Sequence, residues 1–275
     1  MTDPFVSTSW LAEHLYDQDV VVVDGSWYLP TENRDPRAEY LAGHIPGAVF
    51  WDLDAMADTS TGLPHMLLGP DEFARTAGSL GIGSGMRIVV YDGAGLFSAA
   101  RVRWNFVTMG ADAVVLEGGL PRWKAEMRPL EVGPVQHEPA VFTPTFDPDA
   151  VVDLAAMRST DRQIVDARPA ARFAGTAPEP RPGMRAGHMP GALNAPFPTL
   201  VENGSLKSSE DLKAQFASAG VDLDAPTVTT CGSGVSAAIL KLALERAGAR
   251  DVRLYDGSWA EWGSRDDTPI ETGDR

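Results

Sequence analysis

The chain has 275 residues, of which 44% are hydrophobic and 22% are charged, and its formal net charge at pH 7 is −15. This length fits one large domain or two of ordinary size, and the composition is typical of a globular protein. The negative charge argues against nucleic acid and anionic membrane surfaces as partners, because binding their phosphates requires clustered Lys and Arg. A small anionic substrate would need a local basic site to overcome this overall field.

The predicted elements alternate between helices and short apolar strands. In chain order, the first half contains a helix capped by Ser9, strands at Val20–Val23 and Arg87–Tyr91, a helix at Phe97–Met109 and a strand at Ala113–Leu116. The second half contains a helix at Leu154–Ser159, strands at Gln163–Val165 and Thr227–Thr230, a helix at Val235–Ala247 and a strand at Val252–Tyr255. Short continuous apolar strands that alternate with helices predict an α/β fold, in which a doubly wound, mainly parallel sheet has helices on both faces.

Three motifs recur in the same order in both halves. Val-Asp-Gly-Ser at 23–26 is echoed by Val-Asp-Ala-Arg at 165–168, Gly-His-Ile-Pro-Gly-Ala at 43–48 returns as Gly-His-Met-Pro-Gly-Ala at 187–192, and the segment at 117–123 returns at 256–262. A repeat as long as half the chain predicts two whole domains rather than a solenoid. We therefore expect one domain at 1–130, a Pro-rich linker at 131–149 and a second domain at 150–275.

Several classes of segment and site are not expected. The N-terminus lacks a basic stretch followed by an apolar run, and no run of about 18 apolar residues occurs, so we predict no signal peptide, no membrane span and a cytoplasmic location. The single cysteine excludes an internal disulfide and a Cys-based metal cluster. The five histidines lack the spacing of metal ligands, so no metal site is predicted.

The strongest chemical signal is the single cysteine, Cys231, where an apolar strand ends and a helix begins. In open α/β sheets, ligands bind beyond the carboxyl ends of the strands. Gly232 and Gly234 can adopt backbone angles closed to other residues, and such a loop can turn successive N–H groups toward one point. These groups and the helix N-terminus stabilise negative charge, so we expect Cys231 to react as a thiolate.

Two chemistries use a cysteine in such a loop. Cysteine phosphatases need an Arg six residues after the cysteine, but that position is Ala237, and no Arg or Lys occurs before Lys241. Phosphoryl transfer without a cation in the loop is implausible. Sulfur transfer has no such requirement and is therefore the favoured chemistry.

At this point the sequence resembles the rhodanese family, and the resemblance covers nearly the whole chain. Cys-Gly-Ser-Gly-Val-Ser-Ala at 231–237 is similar to the active loop of its mercaptopyruvate sulfurtransferases, in which Thr usually stands where Ser236 does here. The motifs at 24–30, 43–48, 172–181 and 255–262 also match. The thiosulfate-using members carry basic residues just after the cysteine, so the neutral Gly232 and Ser233 favour mercaptopyruvate.

The resemblance implies two tandem rhodanese-like domains with unequal roles. In the second, the loop that would cradle a persulfide on Cys231 comprises Gly232, Ser233, Gly234, Val235 and Ser236. In the first, Asp92 stands where the repeat places the cysteine. A carboxylate cannot accept a sulfane sulfur, so we expect the first domain to be catalytically silent.

The resemblance also assigns roles to residues outside the loop. Arg172 and Arg181 match arginines that hold the donor's carboxylate and carbonyl, and we expect both to lie in a loop. Ser233, His65 and Asp54 match a serine, histidine and aspartate proposed to move a proton. For the arginines the alternative is a solvated surface pair, and for His65 it is a structural role between the domains.

The predicted reaction moves sulfur from a small anionic donor, mercaptopyruvate, through Cys231 to an acceptor, and it requires no cofactor. The acceptor is a small thiol, thioredoxin or cyanide. Two alternatives remain open from the sequence. One is a thiosulfate:cyanide sulfurtransferase, and the other is a non-catalytic persulfide carrier or docking protein.

Overall fold

The computed structural model describes residues 3–273 and contains two compact units. The first unit comprises the chain up to Asp58 together with Leu67–Asp147 and Asn203–Ser205. The second comprises Thr59–Met66, Pro148–Glu202 and the chain from Leu206 onward. A short segment of each half is therefore grouped by its contacts with the opposite unit.

The first half forms a five-stranded parallel sheet in the order β1-β5-β4-β2-β3. Its strands are β1 (Phe5–Val6), β2 (Val20–Asp24), β3 (Val49–Phe50), β4 (Arg87–Tyr91) and β5 (Asp112–Leu116). Its helices are α1 (Thr8–His14), α2 (Pro36–Ala42), α3 (Pro70–Ser79), α4 (Ala99–Thr108) and α5 (Gly119–Ala125), with a 3-10 turn at Pro30–Glu32.

The second half repeats this topology in a five-stranded parallel sheet of order β6-β12-β11-β7-β8. These strands are β6 (Val151–Val152), β7 (Gln163–Asp166), β8 (Leu193–Asn194), β11 (Thr227–Thr230) and β12 (Val252–Tyr255), and a two-stranded ribbon is formed by β9 (Val201–Glu202) and β10 (Ser205–Leu206). The helices are α6 (Leu154–Arg158), α7 (Ala170–Phe173), α8 (Phe197–Leu200), α9 (Ser209–Ser218), α10 (Val235–Ala247) and α11 (Ser258–Trp262), and a 3-10 turn covers Pro148–Ala150.

The central strand β4 is buried on both faces, as a parallel sheet flanked by helices requires. In β4, Val89 and Tyr91 belong to a core cluster that includes Trp123 of α5. The alternate residues, Ile88 and Val90, point to the opposite face and are equally buried. The α/β fold class predicted from the sequence is thus confirmed.

The repeated Gly-His-x-Pro-Gly-Ala turn makes equivalent contacts in both halves. The rings of His44 and His188 are buried, and the Nδ1 atom of each lies 2.8 Å from a backbone carbonyl, that of Tyr40 or Phe173. Each histidine also pairs through its backbone with a later glutamate in an isolated antiparallel bridge. The turn therefore ties the end of each repeat to its body.

Two details differ from the elements predicted from the sequence. The cap of α1 is Ser7, whose Oγ accepts the N–H of Trp10, and not Ser9. The Ser-Thr-Ser run offers two equivalent capping hydroxyls, so the local pattern does not select between them. Helix α4 begins at Ala99 rather than Phe97. Among residues 3–273, no helix has both the length and the apolar character needed to cross a bilayer.

Candidate active site

Cys231 directly follows β11, the central strand of the second sheet, and lies 2% exposed at its carboxyl end. Helix α10 begins four residues later, at Val235, and is capped by Gly234 in the left-handed conformation with φ +81°. An L-residue pays a steric penalty there, which explains the glycine. The structure thus has the strand–Cys–turn–helix arrangement that the sequence predicts.

The cysteine loop is hydrogen-bonded to the start of α11. The Cys231 N–H donates to Oγ of Ser258 at 3.3 Å, and the Cys231 carbonyl accepts the N–H of Trp259 at 2.9 Å. The Gly232 carbonyl accepts the N–H of Ala260 at 2.8 Å. Ser258 itself has φ +49°, an uncommon conformation for a residue other than glycine. Ser258 was not predicted as a site residue; its hydroxyl accepts the Cys231 N–H and donates to the carbonyl of Tyr255 in the neighbouring strand β12.

The corresponding loop of the first unit holds an anionic group of its own. Asp92 directly follows β4, as Cys231 follows β11, and its carboxylate accepts the N–H groups of Ala94, Phe97 and Ala99 at 2.7–2.9 Å. Burial raises the pKa of Asp92, and these hydrogen bonds oppose that rise. A loop in this position of the fold can therefore turn several N–H groups toward one anionic side chain.

Gly232 is small for a reason other than the one expected from the sequence. Its φ lies outside the left-handed region, so its backbone does not require glycine. A Cβ at this position would instead lie 3.1 Å from Nη2 of Arg172, closer than ordinary van der Waals contact. The missing side chain therefore leaves room for an arginine beside the nucleophile.

His65 and Ser233 meet although they are 168 residues apart in sequence. Nδ1 of His65 lies 3.1 Å from Oγ of Ser233 and 3.4 Å from the Ser233 carbonyl, and both residues are buried. His65 has φ +60° and belongs to the segment that groups with the second unit. A strained, buried histidine against a hydroxyl of the cysteine loop is an arrangement suited to proton transfer.

Asp54 lies in the first unit, where its Oδ2 accepts the indole N–H of Trp27 at 2.9 Å. This bond fixes one carboxylate oxygen in place. The role assigned to Asp54 through the family resemblance stays a prediction.

Arg172 lies on the short helix α7, although we had expected it to lie in a loop. Its guanidinium binds Glu179 through Nε at 3.3 Å and through Nη2, and its side chain is 20% exposed. Arg181 follows in an irregular, partly exposed stretch. The short helix directly follows its N-cap Pro169 and begins with Ala170 and Ala171, and alanine has the highest helix propensity.

Sequence analysis also missed a buried ion network beside the loop. Arg168 binds Asp166 and Glu179, and all three side chains are 1% exposed. Burial alone would lower the pKa of Arg168, but the two carboxylates raise it overall, so the guanidinium stays charged. It also lies over the ring of Trp259, 4.2 Å from the centroid. Glu179, one of the two acidic members, falls inside the matched motif at 172–181, which was its only signal in the sequence.

No group of three or more potential metal ligands occurs among the side chains of residues 3–273.

Comparison with known proteins places this site in a family. The model of the Rhodanese-like domain matches residues 7–126 and again residues 150–265. The chain therefore belongs to the rhodanese family, in two tandem copies of the domain, as the sequence motifs predict.

Two relatives that match over nearly the whole chain share one name, 3-mercaptopyruvate sulfurtransferase. The chain is 45% identical over 273 residues to the 3-mercaptopyruvate sulfurtransferase of Escherichia coli strain K12, covering 97% of each chain. It is 43% identical over 269 residues to the human protein of that name, covering 94% of this chain and 91% of the human one. The crystal structure of SseA from Escherichia coli superposes with a TM-score of 0.86 at 42% identity, covering 94% of this chain and 100% of SseA.

Proposed function

We propose that the chain is a 3-mercaptopyruvate sulfurtransferase, which carries sulfur as a persulfide on Cys231. The observation that carries the proposal is a buried cysteine at the carboxyl end of the central strand, in a loop without a cationic side chain. Relatives named for this activity cover almost the whole chain at 45% identity. The thiolate, and not a metal or a cofactor, supplies the nucleophile.

In the first half-reaction, the donor's carboxylate binds Arg172 and Arg181. Arginine suits this task because its planar fork can hold a carboxylate through two hydrogen bonds. The Cys231 thiolate attacks the donor sulfur, and a new S–S bond forms as the carbon–sulfur bond breaks. The electron pair of that bond leaves with the three-carbon fragment as the enolate of pyruvate. Protonation of the enolate at carbon gives pyruvate, and the cysteine is left as a persulfide.

The proton is managed by His65 and Ser233. Their contact of 3.1 Å lets the hydroxyl and the imidazole exchange a proton, and Ser233 lies two residues from the nucleophile. His65 then supplies the enolate's proton through Ser233 or directly. Asp54 is proposed to orient the imidazole of His65, as an acidic residue does in other histidine-based relays.

In the second half-reaction, an acceptor attacks the outer sulfur of the persulfide and restores the Cys231 thiolate. A small thiol, a thioredoxin or cyanide is nucleophilic enough for this step. The remaining loop residues Gly234, Val235 and Ser236 stabilise the persulfide through their N–H groups at the start of α10. Asp92 leaves the first unit silent, because a carboxylate cannot carry sulfane sulfur.

A steady-state assay with mercaptopyruvate and with thiosulfate tests the proposal. We expect pyruvate formation from mercaptopyruvate to have the higher kcat/KM. Preference for thiosulfate would instead identify a thiosulfate:cyanide sulfurtransferase. Persulfide formation without acceptor-dependent turnover of either donor would identify a non-catalytic carrier.

A further inference from the structure

A row of alternating charges leads through the second unit to the cysteine loop. It begins at Asp166, the last residue of β7, continues through Arg168 and Glu179, and ends at Arg172. The first three side chains are 1% exposed, and only Arg172 reaches solvent, at 20%. Two positive and two negative groups alternate, so the row is balanced as a whole.

Glu179 binds one edge of the Arg172 guanidinium. Its Oε1 accepts from Nε at 3.3 Å and its Oε2 accepts from Nη2, so the carboxylate occupies the Nε–Nη2 side. The other side faces the loop, since a Cβ on Gly232 would lie 3.1 Å from Nη2 and 4.0 Å from Nη1. The N–H groups that Glu179 leaves free are therefore directed to the residue next to Cys231.

Glu179 is itself held in place. Oε1 also accepts from Nη1 of Arg168 at 2.8 Å, and Arg168 donates to both Asp166 and the Gly187 carbonyl. A buried carboxylate between two arginines has one stable position, because movement would leave a charge unpaired. An unrestrained arginine loses considerable side-chain entropy on binding a ligand, and this arrangement removes part of that loss beforehand.

The described part of the first unit has no charged side chain at the position that matches Arg168. The strand–turn segments match, because Ser26 donates its backbone N–H to Asp24 as Arg168 does to Asp166. Ser26 stands where Arg168 stands, and it carries no charge. The charged row therefore accompanies the unit that carries the cysteine.

We propose that Glu179 is a positioning residue that orients Arg172 toward the cysteine loop and so sets the site's selectivity for anionic reagents. This inference rests on the donor-binding role of Arg172 under the proposed function. Glu179 does not contact the donor in this account; it acts only through the guanidinium. Arg168, which is itself bonded to Asp166, holds the Glu179 carboxylate in place.

The test compares alkylation of Cys231 by iodoacetate, which carries a carboxylate, with alkylation by neutral iodoacetamide. The measured quantity is the rate constant with iodoacetate divided by that with iodoacetamide. Arg172→Ala should lower this ratio by about tenfold, the effect of one charge-assisted hydrogen bond. Glu179→Gln should lower it nearly as much. Adding Glu179→Gln to Arg172→Ala should change nothing further, because the two residues act as one unit.

Two further variants guard the result against a folding defect. Asp251 forms another arginine–carboxylate pair in the same unit, accepting from Arg162 at 2.8 and 3.0 Å. It lies near the end of β11 opposite to Cys231, and Asp251→Asn removes its charge. It should leave the ratio unchanged. Glu179→Asp keeps the charge but shortens the side chain, and it should give an intermediate ratio with near-native melting.

The outcomes separate this inference from the proposed function. An unchanged or raised iodoacetate ratio in the Glu179 variants, or additive effects in the double variant, would overturn the positioning role, because Glu179 would then only mask charge. If the ratios fall as expected while mercaptopyruvate is not turned over, the proposed function fails and the positioning role stands.

Discussion

The two glycines of the cysteine loop should respond to alanine in opposite ways. Gly232 has a φ outside the left-handed region but abuts Arg172, whereas Gly234 has φ +81° and caps α10. Gly232→Ala should therefore disturb the arginine and spare the fold. Gly234→Ala should strain the backbone and weaken the start of the helix.

The magnitudes follow from the geometry. The new methyl group at position 232 would lie 3.1 Å from Nη2 of Arg172, so the guanidinium must move by a few tenths of an ångström. If the displacement removes part of a charge-assisted hydrogen bond, kcat/KM for mercaptopyruvate falls by roughly threefold to tenfold, mainly through KM. A left-handed alanine at 234 costs about 1–2 kcal/mol, which lowers Tm by roughly 2–8 °C.

Thermal melts and steady-state kinetics on both variants test this contrast. The expected pattern is a near-native Tm with a raised KM for Gly232→Ala, and a lowered Tm for Gly234→Ala. A native KM in Gly232→Ala would show that Arg172 does not bind the donor beside the loop. Equal losses of Tm would refute the assignment of strain to Gly234 alone.

Three further perturbations test separate parts of the account. Arg172→Ala and Arg181→Ala should each lower kcat/KM for mercaptopyruvate about tenfold to a hundredfold, whereas native kinetics in both would place these arginines outside the site. His65→Ala should slow turnover of mercaptopyruvate more than that of thiosulfate, because sulfite leaves without protonation at carbon; equal losses would indicate a structural histidine. Burial raises the pKa of Asp24 to about 6, so ionisation of Asp24 lowers the free energy of unfolding as pH rises from 4 to 7. Over that range, the free energy of unfolding of Asp24→Asn should rise by about 3 kcal/mol relative to that of the native chain. Urea titrations that show the same pH dependence for both proteins would contradict this.

Long apolar segments were predictable, because consecutive apolar residues indicate a buried strand or helix from the local sequence alone. The predicted bounds of Arg87–Tyr91, Thr227–Thr230 and Val235–Ala247 are those of the structure. The two-residue strands Phe5–Val6 and Leu193–Asn194 were not predicted. Such strands depend on pairing with a neighbour far along the chain, so a local pattern does not reveal them.

The candidate site was predictable where a motif carried it and unpredictable where contacts formed through space. The family resemblance named His65 and Ser233 together, but no spacing in the sequence implies that contact. The true constraint on Gly232 and the grip of Glu179 on Arg172 emerge only once α7 and the loop are folded against each other. Ion pairs of this kind connect side chains from different elements, and composition cannot reveal them.

The most direct test of the central claim is the mass of the intact protein after treatment with mercaptopyruvate without acceptor, measured together with released pyruvate. The native chain should gain one sulfur atom for each pyruvate released and lose it when a thiol is added. The near-isosteric Cys231→Ser should gain no sulfur and release no pyruvate, while its melting temperature stays near native. A Cys231→Ser variant that still acquires sulfur and turns over would contradict the claim that Cys231 is the carrier.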